Sequence, residues 1–437
     1  MLVTGTIGVA LLASGATLAS GATTTRTVPR SVPGLTSTQV TLGAIVTQSV
    51  FAADFKPYLS GVNAYLQYVD KELGGINGRK LVLPSTNTLD DSASSSTDIQ
   101  DARTLVTAKH VFAIVGVSTP FFGAASYLKT TGTPTFGYAT DNVWKKAKNL
   151  FADYGSVLNY SSSVPLFAYV AKQTHSTKVA VVALGYASSQ AECKGAVAGL
   201  TTYGKTYGFS EVYSNINESI AQNWSIEAAK IKSAKANMVV SCMDVNSNVA
   251  LSKAMAGTGM AAPVQLWLDG YDRKILQNNS AYMKKTYLML QHVPFEAAAT
   301  YPSSFPGLSL YLKEMTKYGY SSDEYNDVAL MGWESANTFA TGLRAAGKSP
   351  TQATVIAAIN KLKLDVGGPS GGVTAPVNWT LAHTTNTSPA CESFVQTSGS
   401  SFTLAFNKTS HVWVCFPLGV KANLNAPVKA PAGTPGA

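Results

Sequence analysis

The chain has 437 residues, and its 33 basic and 24 acidic side chains leave a net charge of +9. Hydrophobic residues make up 46% and charged residues 13%, about half the ~25% usual for soluble domains, which excludes disorder for the bulk of the chain. The positive charge is spread out, with only short clusters such as Lys145-Lys146 and Lys284-Lys285, so a nucleic-acid partner is not expected.

Residues 1–38 are rich in Gly, Ala, Ser and Thr and read as a signal or leader segment and linker. No charge occurs from Met1 to Thr25, and Ile7 to Leu12 forms a short apolar centre, the texture of a signal peptide and not of a membrane span. An exported, extracytoplasmic protein follows from this. Gln39–Thr47 then reads as a buried strand. From Tyr58 to Leu73 the apolar residues fall on one helical face, opened by Pro57 and stopped by Gly74-Gly75. Strand Lys80–Ser85, a helix near Asp98–Lys109, strand Val111–Val115, a short helix Phe122–Lys129 and strand Pro134–Tyr138 continue the alternation. That rhythm predicts a parallel, doubly wound sheet.

After an irregular stretch, Asn142–Ser156, the rhythm restarts. Helices are predicted at Val164–Gln173, Ser189–Tyr207, Trp224–Ala234 and Asn246–Ala256, and strands at Lys178–Leu184, Ser210–Tyr213, Met238–Ser241 and Val264–Leu268. A strand near Tyr287–Gln291 precedes three helices (about Phe305–Tyr318, Tyr325–Ala346 and Thr351–Leu362) and a β-rich end, Val373–Phe416. The fold class is α/β, with two doubly wound lobes: residues 39–160 plus 292–375 as the first, 161–291 plus 376–421 as the second, and a disordered Pro/Ala-rich tail, 422–437. Small residues at Ala329, Gly332, Ala336 and Ala340 predict close helix packing. Trp224, Trp267 and Trp333 read as core.

Ligands of open parallel sheets bind beyond the carboxyl ends of the strands. Those loops are Gln48–Asp54, Asn87–Ser92, Gly116–Phe122, Tyr138–Asn142, Leu184–Gln190, Cys242–Asn246 and Asp269–Arg273, rich in hydroxyl, acidic and aromatic residues. Hydroxyls and helix amides suit a carboxylate, acidic groups an ammonium, and rings an apolar side chain.

The segment Gly74-Gly75-Ile76-Asn77-Gly78-Arg79-Lys80 resembles the turn between the first helix and second strand of type I periplasmic binding proteins of the leucine/isoleucine/valine-binding kind. Val111–Gly116 followed by Ser118-Thr119, Gly132-Thr133-Pro134 with Ala139-Thr140, and Tyr325-Asn326-Asp327 are similar to further family segments, over roughly residues 39–420. The resemblance implies a solute-binding protein that serves an ABC permease, its lobes joined by three crossovers. It also implies that Ser118 and Thr119 hold a ligand carboxylate, that Thr140 binds the same head group and that Tyr186 covers the ligand. The carboxylate for the ammonium is expected near Asp269-Gly270-Tyr271: Asp269 first, with Asp244 and Asp272 behind it. Tyr138 stands where the family usually has a small residue, and Phe121-Phe122 add aromatic bulk, so the ligand is an amino-acid-like or amide solute of unassigned identity. A ligand sensor of the same fold is the alternative, and an exported hydrolase a third reading.

Cys193, Cys242, Cys391 and Cys415 allow three pairings; an even count in an exported chain favours disulfides, with Cys193–Cys242 and Cys391–Cys415 expected. No spacing suits a metal, and neither cofactor nor catalysis is expected: no G-x-S-x-G elbow occurs and the histidines are isolated. The mature chain is expected to be a soluble monomer. Gly342–Ser349 fits the P-loop pattern, but it ends one helix and opens another, so Gly347 reads as a C-cap and Ser349 as an N-cap. Asp244 and Asp272 carry a helix-capping reading beside the ligand one.

Overall fold

The computed structural model describes residues 1, 2, 5, 31–50, 52–139, 142–155, 160–219, 223–384, 390–407, 409–417 and 420–436. The leader and its cleavage region therefore lie almost wholly outside the described residues, as does Thr140. The chain divides into two compact units, 1–31 and 32–437, and the second carries both sheets.

The first sheet holds β1 (Gln39–Val46), β2 (Lys80–Val82), β3 (Thr88–Leu89), β4 (Ala113–Ser118), β5 (Thr135–Gly137) and β6 (Leu150–Ala152). Its order is β2-β1-β4-β5-β6, with β3 on the end of β1, and every pairing is parallel. The second sheet contains β7 (Lys178–Leu184), β8 (Ser210–Glu218), β9 (Met238–Cys242), β10 (Val264–Trp267), β11 (Thr286–Leu290), β12 (Ala390–Ser398), β13 (Ser401–Leu404) and β14 (Trp413–Phe416). Its parallel part runs β8-β7-β9-β10-β11, and antiparallel β12, β13 and β14 extend it. β1, β4, β7 and β9 are near-continuous apolar runs buried along almost their whole length, as strands covered by helices on both faces must be.

The chain passes between sheets three times: after β6, after β11 and before β12. The return after β11 brings the helix Asp327–Ala345 onto the first sheet, where it packs on the helix Tyr58–Glu72. Small residues set that distance. A Cβ on Gly61 would stand 1.7 Å from the Ala329 carbonyl oxygen, and one on Gly332 would stand 2.0 Å from that of Tyr58. Asn77, in the glycine-rich turn, ties down the other end of the long helix by donating to the Gly347 carbonyl at 2.9 Å. Trp267 and Trp333 are core residues, and Trp224 packs partly buried against the second lobe.

Several elements differ from the sequence expectation. β6 lies inside the stretch read as irregular, because its three residues are too few to show a period. Thr351, not Ser349, caps the helix Gln352–Ile359, its hydroxyl accepting from Thr354 N–H at 3.1 Å. The tail expected to be disordered packs on the second lobe: Leu424 is fully buried, and the Tyr203 and Tyr207 hydroxyls accept from the N–H groups of Ala422 and Leu424, both at 2.9 Å. Composition suggested disorder there, but these tertiary partners satisfy the backbone.

Candidate functional site

Each sheet order reverses between its first strand and that strand's two neighbours, so a crevice opens where adjacent helices leave on opposite faces. The two crevices face one another. Between them lies a cleft of about 110 Å³ whose walls come from the carboxyl ends of strands in both lobes. From the first lobe it takes Asp54 and Phe55 after β1, Pro120 after β4, and Tyr138 and Ala139 after β5. From the second it takes Tyr186, Ser188, Ser189 and Glu192 after β7, Met243 and Asp244 after β9, and Leu268 and Asp269 after β10.

Four of these residues are acidic: Asp54, Glu192, Asp244 and Asp269. None is Lys, Arg or His. Asp54 is 2% exposed; its Oδ1 accepts from Val245 N–H at 3.0 Å, while Oδ2 has no partner among the described residues as long as both Asp54 and Asp269 are ionised. Asp244 is built similarly. One of its oxygens caps the helix Val245–Gly257 through Ser247 N–H at 3.0 Å, and its buried Oδ2 has no donor.

Asn248 sets the spacing of the acidic loops. It donates from Nδ2 to the Met243 and Asp269 carbonyls at 3.0 and 3.2 Å, and its Oδ1 accepts from Ser241 at 2.6 Å. The loops after β9 and β10 are thereby fixed to one side chain.

Loss of hydration dominates the titration of this group. Burial pushes the Asp54 carboxyl well above its ordinary range, and the charges of Asp269 and Asp244 push it further. Asp269 is raised well above its usual value, first by burial and then by Asp327, and it hydrogen-bonds to Asp54 when one of the two is protonated. Burial alone lifts Glu192 to about 8. Asp327, behind the cleft, is lifted to about 7, again mainly by burial. The empty cleft therefore holds protons near neutral pH.

Aromatic rings supply the rest. Phe55 and Tyr138 pack with ring centroids 6.0 Å apart, and Phe121 of the first lobe meets Tyr186 of the second edge-on at 5.4 Å. Tyr186 is also the residue from which the helix Ala187–Tyr207 starts, which fixes its backbone at the cleft edge.

Of the residues expected at the site, Tyr138, Ala139, Tyr186, Asp244 and Asp269 line the cleft together. Ser118, Thr119 and Tyr271 do not. The Ser118 hydroxyl is buried and donates to the Phe55 carbonyl at 3.2 Å. Thr119 gives its hydroxyl to Asp91, which also receives the Thr47 hydroxyl. Tyr271 stacks on Phe295 in the core, its hydroxyl donating to Glu296 and accepting from Phe295 N–H. Asp272 caps the helix Arg273–Asn279 and receives Asn326. Asp54 and Glu192 were missed. Asp54 ends a loop that the strand rule marks as cleft-facing, whereas Glu192 lies inside a helix, where acidic residues ordinarily face water.

The disulfides are Cys193–Cys242 and Cys391–Cys415, with Cα separations of 5.8 and 4.1 Å. The first adjoins the cleft, since Cys193 follows Glu192 and Cys242 is itself part of the lining. Among the described residues no acidic, His or Cys group is arranged to hold a metal ion, and no helix is long and apolar enough to cross a membrane.

Residues 39–396 match the family described as periplasmic binding protein. Solved structures share the fold at low identity. The fatty acid ABC transporter substrate-binding protein from Thermomonospora curvata superposes with a TM-score of 0.68 at 16% identity, over 92% of this chain and 97% of that one. A solute-binding protein of an ABC transporter from R. palustris in complex with benzoate gives 0.64 at 14%, covering 84% and 95%. The branched-chain amino acid transporter substrate-binding protein of Streptococcus pneumoniae in complex with isoleucine gives 0.63 at 14%, covering 83% and 97%. None of the curated proteins compared with the chain matches it.

Proposed function

The chain belongs to the type I periplasmic binding protein family, and on that premise we propose that it is the extracytoplasmic substrate-binding component of an ABC importer, trapping one small polar solute between its lobes and presenting the closed form to a permease. The observation that carries this reading is the cleft itself, built from the strand ends of both lobes and spanned by Asp54–Val245 and Phe121–Tyr186. Residues on opposite walls can hold one ligand only while the lobes are closed, so ligand binding favours closure.

Tyr138, Ala139, Tyr186, Asp244 and Asp269 are proposed as ligand contacts, joined by Asp54, Phe55 and Glu192. Thr140 stays in the proposal on the resemblance alone. Of the amino-acid-like or amide ligands that the resemblance implies, the amine is the part for which this cleft is furnished. The fatty acid, benzoate and isoleucine named for the three solved structures all bear a carboxylate, and among the described residues of the lining here no side chain is basic.

The test is calorimetric titration of the full chain, unfolded and refolded to strip carried-over ligand, against amino acids, amides and small amines. One-to-one binding with retention of the unchanged solute is expected. Turnover of the solute would make the protein an enzyme and end this reading.

A further inference from the structure

The reading above leaves the solute open, and the inference here rests on that reading. Asp54, Glu192, Asp244 and Asp269 face one cavity with no Lys, Arg or His among its lining residues. Such a cluster alone proves little, because surface carboxylates are satisfied by water. Asp54 is not on the surface. It is 2% exposed, it lines the cleft, and its Oδ2 has no donor among the described residues although its Oδ1 is hydrogen-bonded. The buried Oδ2 of Asp244 is in the same condition on the opposite lobe. In the empty cleft only a proton, such as the one Asp54 and Asp269 can share, relieves these buried oxygens, and a ligand that brings N–H groups and positive charge can take that proton's place.

Two further facts narrow the ligand. The carboxylates are not grouped to hold a metal ion, and the space between them is walled by Phe55, Tyr138 and Tyr186, which favours a cation on a carbon frame. A cleft of about 110 Å³ suits a short frame.

The family-like alternative is a zwitterion whose carboxylate sits on the first turn of the helix Ala187–Tyr207, at Ser188 and Ser189. A helix N-terminus offers roughly half a positive charge. A carboxylate could enter only while the acids keep their protons, whereas a cation releases those protons and pairs with the charges they leave, and no described lining residue is Lys, Arg or His. The hydroxyl of Thr119, a group expected to bind such a carboxylate, is already committed to Asp91.

We propose that the cleft selects a small organic cation, an alkyl amine or diamine of net positive charge with no carboxylate of its own, held by Asp54, Asp244, Asp269 and Glu192 against the rings of Phe55, Tyr138 and Tyr186.

The refolded full chain is titrated calorimetrically near neutral pH with butylamine, putrescine, leucine and butyrate. Butylamine or putrescine should bind one-to-one at least about tenfold more tightly than leucine, a difference of about 1.4 kcal/mol, and butyrate should give no heat of binding. Asp269→Asn and Asp54→Asn should each weaken the amine by about tenfold or more while the near-ultraviolet dichroism of the folded protein persists. Leucine or butyrate binding more tightly than both amines would overturn the cation while leaving the solute-binding reading intact. Amine affinity unchanged in both folded variants would place the cation elsewhere and overturn the site. No heat from any of the four would count against both readings together.

Discussion

The carboxylate of Asp54, in the first lobe, accepts a 3.0 Å hydrogen bond from the backbone N–H of Val245, the first residue of a helix in the second lobe. A group in the ligand wall is therefore also a latch between the lobes. Asp54→Ala removes both roles at once. A hydrogen bond to a charged group contributes about 1.5–3 kcal/mol, so ligand affinity should fall by about one to two orders of magnitude. Small-angle scattering should show the ligand-free variant more extended than the parent. Equal dimensions would mean that the latch does not hold closure.

The second cross-lobe contact is apolar. Phe121 and Tyr186 meet at 85° with centroids 5.4 Å apart, the edge-to-face arrangement that contributes about 0.5–1.5 kcal/mol beyond area burial. A double-mutant cycle of Phe121→Ala and Tyr186→Ala on ligand affinity should return a coupling energy in that range. Additive losses would show that the two rings act on the ligand separately and not on each other.

Titration gives a prediction with a defined sign. Glu192 is raised from 4.5 to about 8, and Asp54 and Asp269 are raised well above their ordinary values, in surroundings that include Asp244, Asp327, Tyr138 and Tyr186. Between those two values the folded, empty protein binds more protons than the unfolded chain, so its stability falls as pH rises through that window. A cationic ligand favours the ionised carboxylates and expels protons, so its affinity should rise with pH over the same window. Titrations in buffers of different ionisation enthalpy would count the protons released. Proton uptake on binding would contradict this assignment.

Close helix packing can be tested apart from binding. Gly332→Ala forces a methyl group into the space occupied by the Tyr58 carbonyl oxygen, which should destabilise the fold by about 1–3 kcal/mol. The site is untouched, so denaturant unfolding should shift while ligand affinity stays at the parent value. Lost affinity with unchanged stability would mean that the helix pair sets the cleft geometry directly.

Fold and site differed in how much could be read from sequence. The alternation of runs such as Val40–Val46 and Val179–Leu184 with one-faced helices specified the parallel strands of both sheets, because strands buried on both sides must be apolar throughout. Loops after the strands led to Tyr138, Tyr186, Asp244 and Asp269, since ligands of such sheets gather at the strand ends. Glu192 was not legible: its helix has apolar residues scattered among small ones, and only the tertiary arrangement turns that position inward. Nor was the role of Asn248, whose contacts with the Met243 and Asp269 carbonyls join loops that are distant in sequence. The tail failed for the converse reason. Its composition is that of a linker, and its order comes from Tyr203 and Tyr207, more than two hundred residues earlier.

The Cys193–Cys242 bridge joins the residue after Glu192 to a residue two before Asp244. Two acidic members of the same wall are thus cross-linked through the backbone before any solute arrives. The loss of freedom that a ligand would otherwise have to impose on that wall has already occurred during oxidative folding, which leaves the movement of one lobe against the other as the principal ordering that capture still requires.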